Sequence, residues 1–263
     1  MEVRNMKSVR GILIMVLLII CVISGFISIS SIVSKKQDEA AYESLCESVT
    51  ASSEPVTTES EPLTEQSEEI AVKPTESSAE ETTSAASSVP AGVINLMKQN
   101  ANVVGWIKID NTKIDYPIVQ HKEDNEYFLH RDINGKKNSA GSIYLDSNHQ
   151  IDGDGLHVVY GHHMKNGSMF KDIVKFRDAA YMKQHQNITI WTGEREISLK
   201  PVYCYAGAAD GSYRNNFDSP EELQAFLKEK TGETISSDNV FVFITCSYGS
   251  ADERTYLICE EEG

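Results

Sequence analysis

Residues 11 to 33, GILIMVLLIICVISGFISISSIV, carry no charge over 23 consecutive positions, and this run divides the chain of 263 residues. As a helix it would reach about 35 Å at ~1.5 Å per residue, enough for a hydrocarbon layer of about 30 Å. Arg4, Lys7 and Arg10 precede it, while Lys35 and Lys36 follow with Asp38 and Glu39 close behind. That asymmetry predicts a cytoplasmic N-terminus, residues 1–10, and a single-pass anchor over 11–33 in the cell membrane, with the rest of the chain extracellular. A cleaved secretory signal is the competing reading. It fits less well, because the run exceeds the ~7–15 residues of a signal's apolar stretch and no small-residue cleavage site follows.

The composition changes after the run. Residues 41 to 90 hold 11 Glu, one Lys, 18 Ser or Thr and four Pro. So few large apolar side chains cannot offset the entropy of ordering a chain. Residues 34–90 therefore read as a disordered acidic tether, which leaves residues 91–263 as one folded domain. The tether carries most of the net charge of −15, so that charge says little about a substrate. With no stripe of Lys and Arg, the chain does not read as a nucleic-acid binder. Three of the five cysteines, Cys204, Cys246 and Cys259, fall in the domain, without CxxC or zinc spacing.

Within the domain, apolar residues on helical spacing from Val93 predict a short helix that leads into a strand at Trp106. Strand-like runs then dominate: 106–109, 115–119, 141–145, 157–160, 187–191, 196–205, 240–245 and 254–259. A helix is expected near 168–184, with Phe170, Ile173, Val174 and Ala180 as its buried side. Another is expected over 219–231, with Ser219 as cap, Pro220 at its first position, Glu222 completing a capping box and Gly232 as its left-handed exit. Mainly β, with eight short strands and few helices, the pattern fits a closed or nearly closed barrel.

Cys246 closes the apolar run FVFIT, and after seven intervening residues, SYGSADE, Arg254 opens the next strand. If those strands pair as a hairpin, a guanidinium stands near the thiol. A nearby cation raises the thiolate fraction, and a histidine can take and return a proton near neutrality. His162 and His163 end another strand-like run at a similar position. Taken singly, a cysteine in such a run is more often a small apolar filler, an arginine a surface ion-pair partner. Cys204 and Cys259, inside VYCYAG and TYLICEE, read as structural or bridged.

Four blocks go further: NVVGWIKIDNTKIDYPIVQ (102–120), DNEYFLHRDINGKKNSAGSIYLD (124–146), YGHHMKNGSMF (160–170) and FITCSYGSADERTYLI (243–258). Together the domain resembles the sortases, cell-wall transpeptidases of Gram-positive bacteria, and their class B branch above all. The resemblance implies a barrel of about eight strands, an N-terminal helix and a helix in the long connection before the last strand pair. It implies Cys246 as nucleophile, His162 as general acid and base, and Arg254 as the group that holds substrate or its oxyanion. His163 inherits no such role, because the family's histidine directly follows the glycine. Thr245 matches the residue before the cysteine and is a candidate for the substrate groove, although VFITC only partly matches the family's Thr-Leu-x-Thr-Cys wording.

The implied reaction cleaves an exported protein after the threonine of a C-terminal sorting motif, then passes the thioacyl-bound protein to a peptidoglycan amine. It implies no metal and no organic cofactor. Competing readings are a purely hydrolytic thiol enzyme, a pilin-polymerising enzyme, and a non-catalytic membrane-tethered adhesin or scaffold.

Overall fold

The computed structural model describes residues 2–51, 89–247 and 252–262. Eight strands form a closed barrel: β1 (Val103–Ile109), β2 (Asp115–Val119), β3 (Ile143–Leu145), β4 (Gly155–Tyr160), β5 (Ile188–Trp191), β6 (Glu196–Ala208), β7 (Asn239–Cys246) and β8 (Glu253–Glu261). Around the barrel their order is β1-β2-β3-β4-β7-β8-β6-β5, with β5 returning to β1. The pairs β2–β3 and β4–β7 run parallel and the rest antiparallel. Among the described residues the barrel is closed, so none of the eight strands stands at a sheet edge.

β7 holds the longest unbroken buried run of the eight strands, from Asn239 to Thr245. Phe241 and Phe243 turn into the barrel with Val159 and Leu257. Val240 and Val242 turn outward, under Leu223 and Leu227 of helix α4 (Pro220–Thr231). Burial on both faces explains its unbroken apolar sequence. The expected punctuation of α4 is present: Ser219 accepts from the Glu222 N–H and Gly232 takes the left-handed exit at φ 75°. The Glu222 carboxylate reaches back one residue further than expected, to the Asp218 N–H.

Two expectations are corrected. The helix anticipated over 168–184 is two pieces, a 3-10 helix Phe170–Arg177 and a short α3 (Ala179–Gln184). Asp178 divides them because it adopts an extended conformation and caps α3 by accepting from the Tyr181 N–H. The second correction concerns the start of the tether. Helix α1 (Glu2–Ala51) continues well past the apolar run. Its latter part carries an apolar stripe, and Tyr42 and Val49 are buried against the domain. Tyr42 meets Tyr116 edge-on, with ring centroids 5.8 Å apart. Val49 joins Val89, Val93 and Trp106 in one apolar cluster. The stripe supplies the buried surface that composition averaged over fifty residues had concealed. Helix α2 (Ala91–Gln99) crosses α1 so closely that a Cβ on Gly92 would lie 2.2 Å from the Val49 carbonyl oxygen, so only glycine fits there. The rest of the expected tether, residues 52–88, lies outside the described residues.

Residues Met15–Ser34 of α1 are long and apolar enough to cross a membrane, and all of that face is exposed. Cys204 and Cys259 are both free thiols. Burial pushes Cys204 up to about 12 and Cys259 well above the ordinary thiol value, so both stay protonated and inert.

Candidate active site

Cys246 is the last residue of β7, half-buried at the barrel's rim. Directly across the antiparallel ladder stands Arg254, near the start of β8. The hairpin geometry expected from their spacing is present. On its other side β7 pairs in parallel with β4, and the last matched residues are Tyr160 and Ile244. His162 lies two residues beyond Tyr160, as Cys246 lies two beyond Ile244. Parallel register therefore delivers the imidazole and the thiol to the same end of the barrel.

The turn that carries His162 is shaped by packing. A Cβ on Gly161 would lie 2.5 Å from the Ile143 side chain and 2.7 Å from the Phe170 ring, so the chain can pass only as glycine. The Gly161 N–H donates to the Ile244 carbonyl (3.1 Å), and the His162 carbonyl accepts from the Phe170 N–H (2.9 Å). His162 Nε2–H donates to the carbonyl of Leu129 (2.8 Å). A carbonyl can only accept, so the tautomer is set and Nδ1 keeps its lone pair. The His130 ring stacks on that of His162, with centroids 5.4 Å apart. Burial lowers the pKa of His162; the Leu129 bond opposes the shift and His130 adds to it. The neutral imidazole is therefore favoured near pH 7.

His163 points elsewhere. Its Nδ1–H donates to the backbone carbonyl of Cys246 (2.9 Å). The Ser247 N–H, on the far side of the same peptide, donates to the Glu253 carbonyl (3.1 Å).

His162, Thr245, Cys246 and Arg254 all line one groove of about 330 Å³. Thr245 is 2 % exposed, so it supplies wall and little reach. The groove carries both signs of charge, with Glu126 and Asp210 alongside Arg214 and Arg254. Burial opposes ionisation of Asp210, yet its bonds from Lys230 (2.7 Å) and Ser212 hold its carboxyl down at about 2.

Sequence reasoning missed what braces this groove. Asp146, fully buried just past β3, accepts from the Tyr160 hydroxyl (2.8 Å) and from Arg214 Nε (2.9 Å). Tyr160 and Arg214 both line the groove, so one carboxylate ties together two segments of its wall. The signal for Asp146 was a lone acid closing GSIYLD; for its partner, 68 residues away, the sequence held none.

Comparison with known proteins follows the same lines. No family model matches the chain. Sortase B of Listeria monocytogenes is 33 % identical over 152 residues, covering 56 % of this chain and 61 % of that protein. The chain spans less than two thirds of the length of the curated relatives it matches. Among solved structures, sortase B of Bacillus anthracis is 30 % identical, with a TM-score of 0.58 over 66 % of this chain and 83 % of that one. Sortase B of Clostridium perfringens is 29 % identical, with a TM-score of 0.58 over 64 % of this chain and 98 % of that one. The same barrel, with sequence identity sustained across it, means that the chain belongs to the sortase family, on its class B branch.

Proposed function

We propose that the protein is a membrane-anchored cysteine transpeptidase that joins exported proteins to the cell wall. The Cys246 thiol passes its proton to His162 Nδ1 as Sγ attacks the carbonyl carbon of the threonine in a C-terminal sorting motif. The C–N bond breaks, and the departing amine takes its proton from His162 Nδ1. The threonine is left as a thioester on Cys246. A peptidoglycan amine then attacks that carbonyl, gives its proton to His162, and releases the thiolate as the new amide forms. Arg254 holds the substrate backbone or the tetrahedral oxyanion, work worth about 3–4 kcal/mol per donor in comparable sites. The thioester retains the energy of the amide that was broken, so the exchange needs no nucleotide. Thr245 is assigned to the groove wall.

One observation carries the reading: thiol, imidazole and guanidinium line a single groove at one end of the barrel. Burial favours the neutral form of His162, so its protonated form gives the proton up readily to a leaving amine. The anchor would be Met15–Ser34, with residues 1–10 cytoplasmic and the barrel outside.

The test is cleavage of a library of C-terminal sorting peptides by the purified full-length chain in detergent, with Cys246→Ala as control. Products are followed by mass spectrometry with and without a cross-bridge amine. A ligated product that needs Cys246 supports the transpeptidase. Release of free acid even with the amine in excess would make the protein a hydrolase, and ligation only to a lysine side chain of a second protein would make it a pilin polymerase. No turnover and no labelling of Cys246 by a threonine-ending warhead would leave a non-catalytic scaffold.

A further inference from the structure

In a parallel ladder, N–H groups of alternate residues on one strand donate to the neighbouring strand. Between β4 and β7 the last such bond runs from the Gly161 N–H to the Ile244 carbonyl. Had β4 run on, the next would join the His163 N–H to the Cys246 carbonyl. The chain instead leaves the sheet at that point. His163 forms an isolated bridge with Met169, which turns back at a left-handed φ of 57°, and the Met169 N–H donates to the Tyr116 hydroxyl (3.1 Å). The vacant rung is filled by a side chain, because His163 Nδ1–H reaches the Cys246 carbonyl at 2.9 Å. With the Ser247 N–H bound to Glu253 from the β8 side, both polar atoms of the peptide after the cysteine are held.

We propose that His163 is a positioning residue, whose imidazole extends the β4–β7 pairing by one rung and keeps the thiol of Cys246 in register with the imidazole of His162. The backbone alone cannot do this, because β4 must depart at Gly161 to aim His162 into the groove. The consequence for turnover rests on the transpeptidase reading above. The placement itself does not.

Asparagine offers a discriminating substitution. Its Nδ2 lies as many bonds from Cα as histidine Nδ1, so it can donate into the same rung. Leucine fills similar volume with no donor. In the full-length chain, His163→Leu is expected to lower kcat for a sorting peptide by about 10–100-fold with KM little changed, the scale of a misplaced reacting group. His163→Asn is expected to restore most of that loss. A second readout needs no substrate: the pH–rate curve for alkylation of Cys246 by iodoacetamide, followed at that residue by mass spectrometry. It is expected to shift in His163→Leu and to return in His163→Asn. If His163→Leu does not fold, His163→Gln replaces it, since its amide nitrogen lies one bond too far for the rung.

Wild-type turnover and an unshifted alkylation curve in the donor-less variant would overturn the proposal. So would an asparagine variant as impaired as the leucine one. If the wild-type chain turns over no peptide, the transpeptidase reading fails, and the alkylation curves alone decide the role of His163.

Discussion

Lysine and arginine carry the same charge, but only arginine presents a flat fork of donors, and Arg254 occupies a position where that difference is measurable. Its partner across the ladder is Cys246, and its guanidinium donates to the Glu253 carbonyl (3.1 Å); in the transpeptidase reading proposed above it would turn a donor to the carbonyl under attack. Arg254→Lys keeps the charge and loses the fork. The expected result is a fall in kcat/KM of about 100–1000-fold on a sorting peptide, the cost of losing one oxyanion donor. A lysine variant with near wild-type activity would reduce the role of Arg254 to charge alone. For His162, burial places the titration midpoint below the ordinary 6.5, and the stacked His130 pushes it lower. NMR titration of the His162 ring in the Cys246→Ala chain is expected to show that midpoint. His130→Gln should move it upward by removing one positive neighbour. A midpoint at or above 6.5 in the chain that retains His130 would contradict the geometry.

At the scale of elements, β3, β4 and the connection after β6 meet on Asp146. Asp146→Ala would strand the Tyr160 hydroxyl and the Arg214 guanidinium. Truncating one partner of a buried pair costs about 3–5 kcal/mol. Arg214 is 42 % exposed and regains water, so the low end, about 3 kcal/mol, is expected from chemical denaturation. Cleavage should weaken too, because the groove wall slackens. Elements were legible where burial leaves a period or a run. The unbroken FVFIT announced β7, and Ser219, Pro220 and Gly232 announced α4. The Cys246–Arg254 pair was legible because a short hairpin fixes its own register. Bringing His162 beside them was legible only through the family resemblance, since parallel pairing of β4 with β7 joins residues 84 apart and no spacing records it. Nor does any spacing record Asp146 with Arg214. The break at Asp178 was hidden because the apolar positions on both sides keep one helical rhythm while the cap interrupts it.

For the molecule as a whole, three histidines are buried enough to hold their pKa values below the ordinary 6.5. Burial is the first cause in each of His149, His157 and His162. Below about pH 6.5 the unfolded chain therefore binds more protons than the folded one. Stability should be fully present above that pH and should decline as pH falls through the lowered values. Thermal melts from pH 7.5 to 5 are expected to show Tm dropping most steeply below 6.5. A flat profile there would mean that these rings are solvated. The outer half of α1 bears on the molecule in a different way. Val49 and Val89 share one cluster, so the polypeptide leaves for the acidic stretch and returns from it at the same spot. That stretch then adds nothing to the gap between bilayer and enzyme. In the membrane setting proposed above, the gap is a continuous stretch of helix: eight residues from Ser34 to Tyr42, about 12 Å at ~1.5 Å each. In that setting the groove would take its height above the bilayer from the length of this helix.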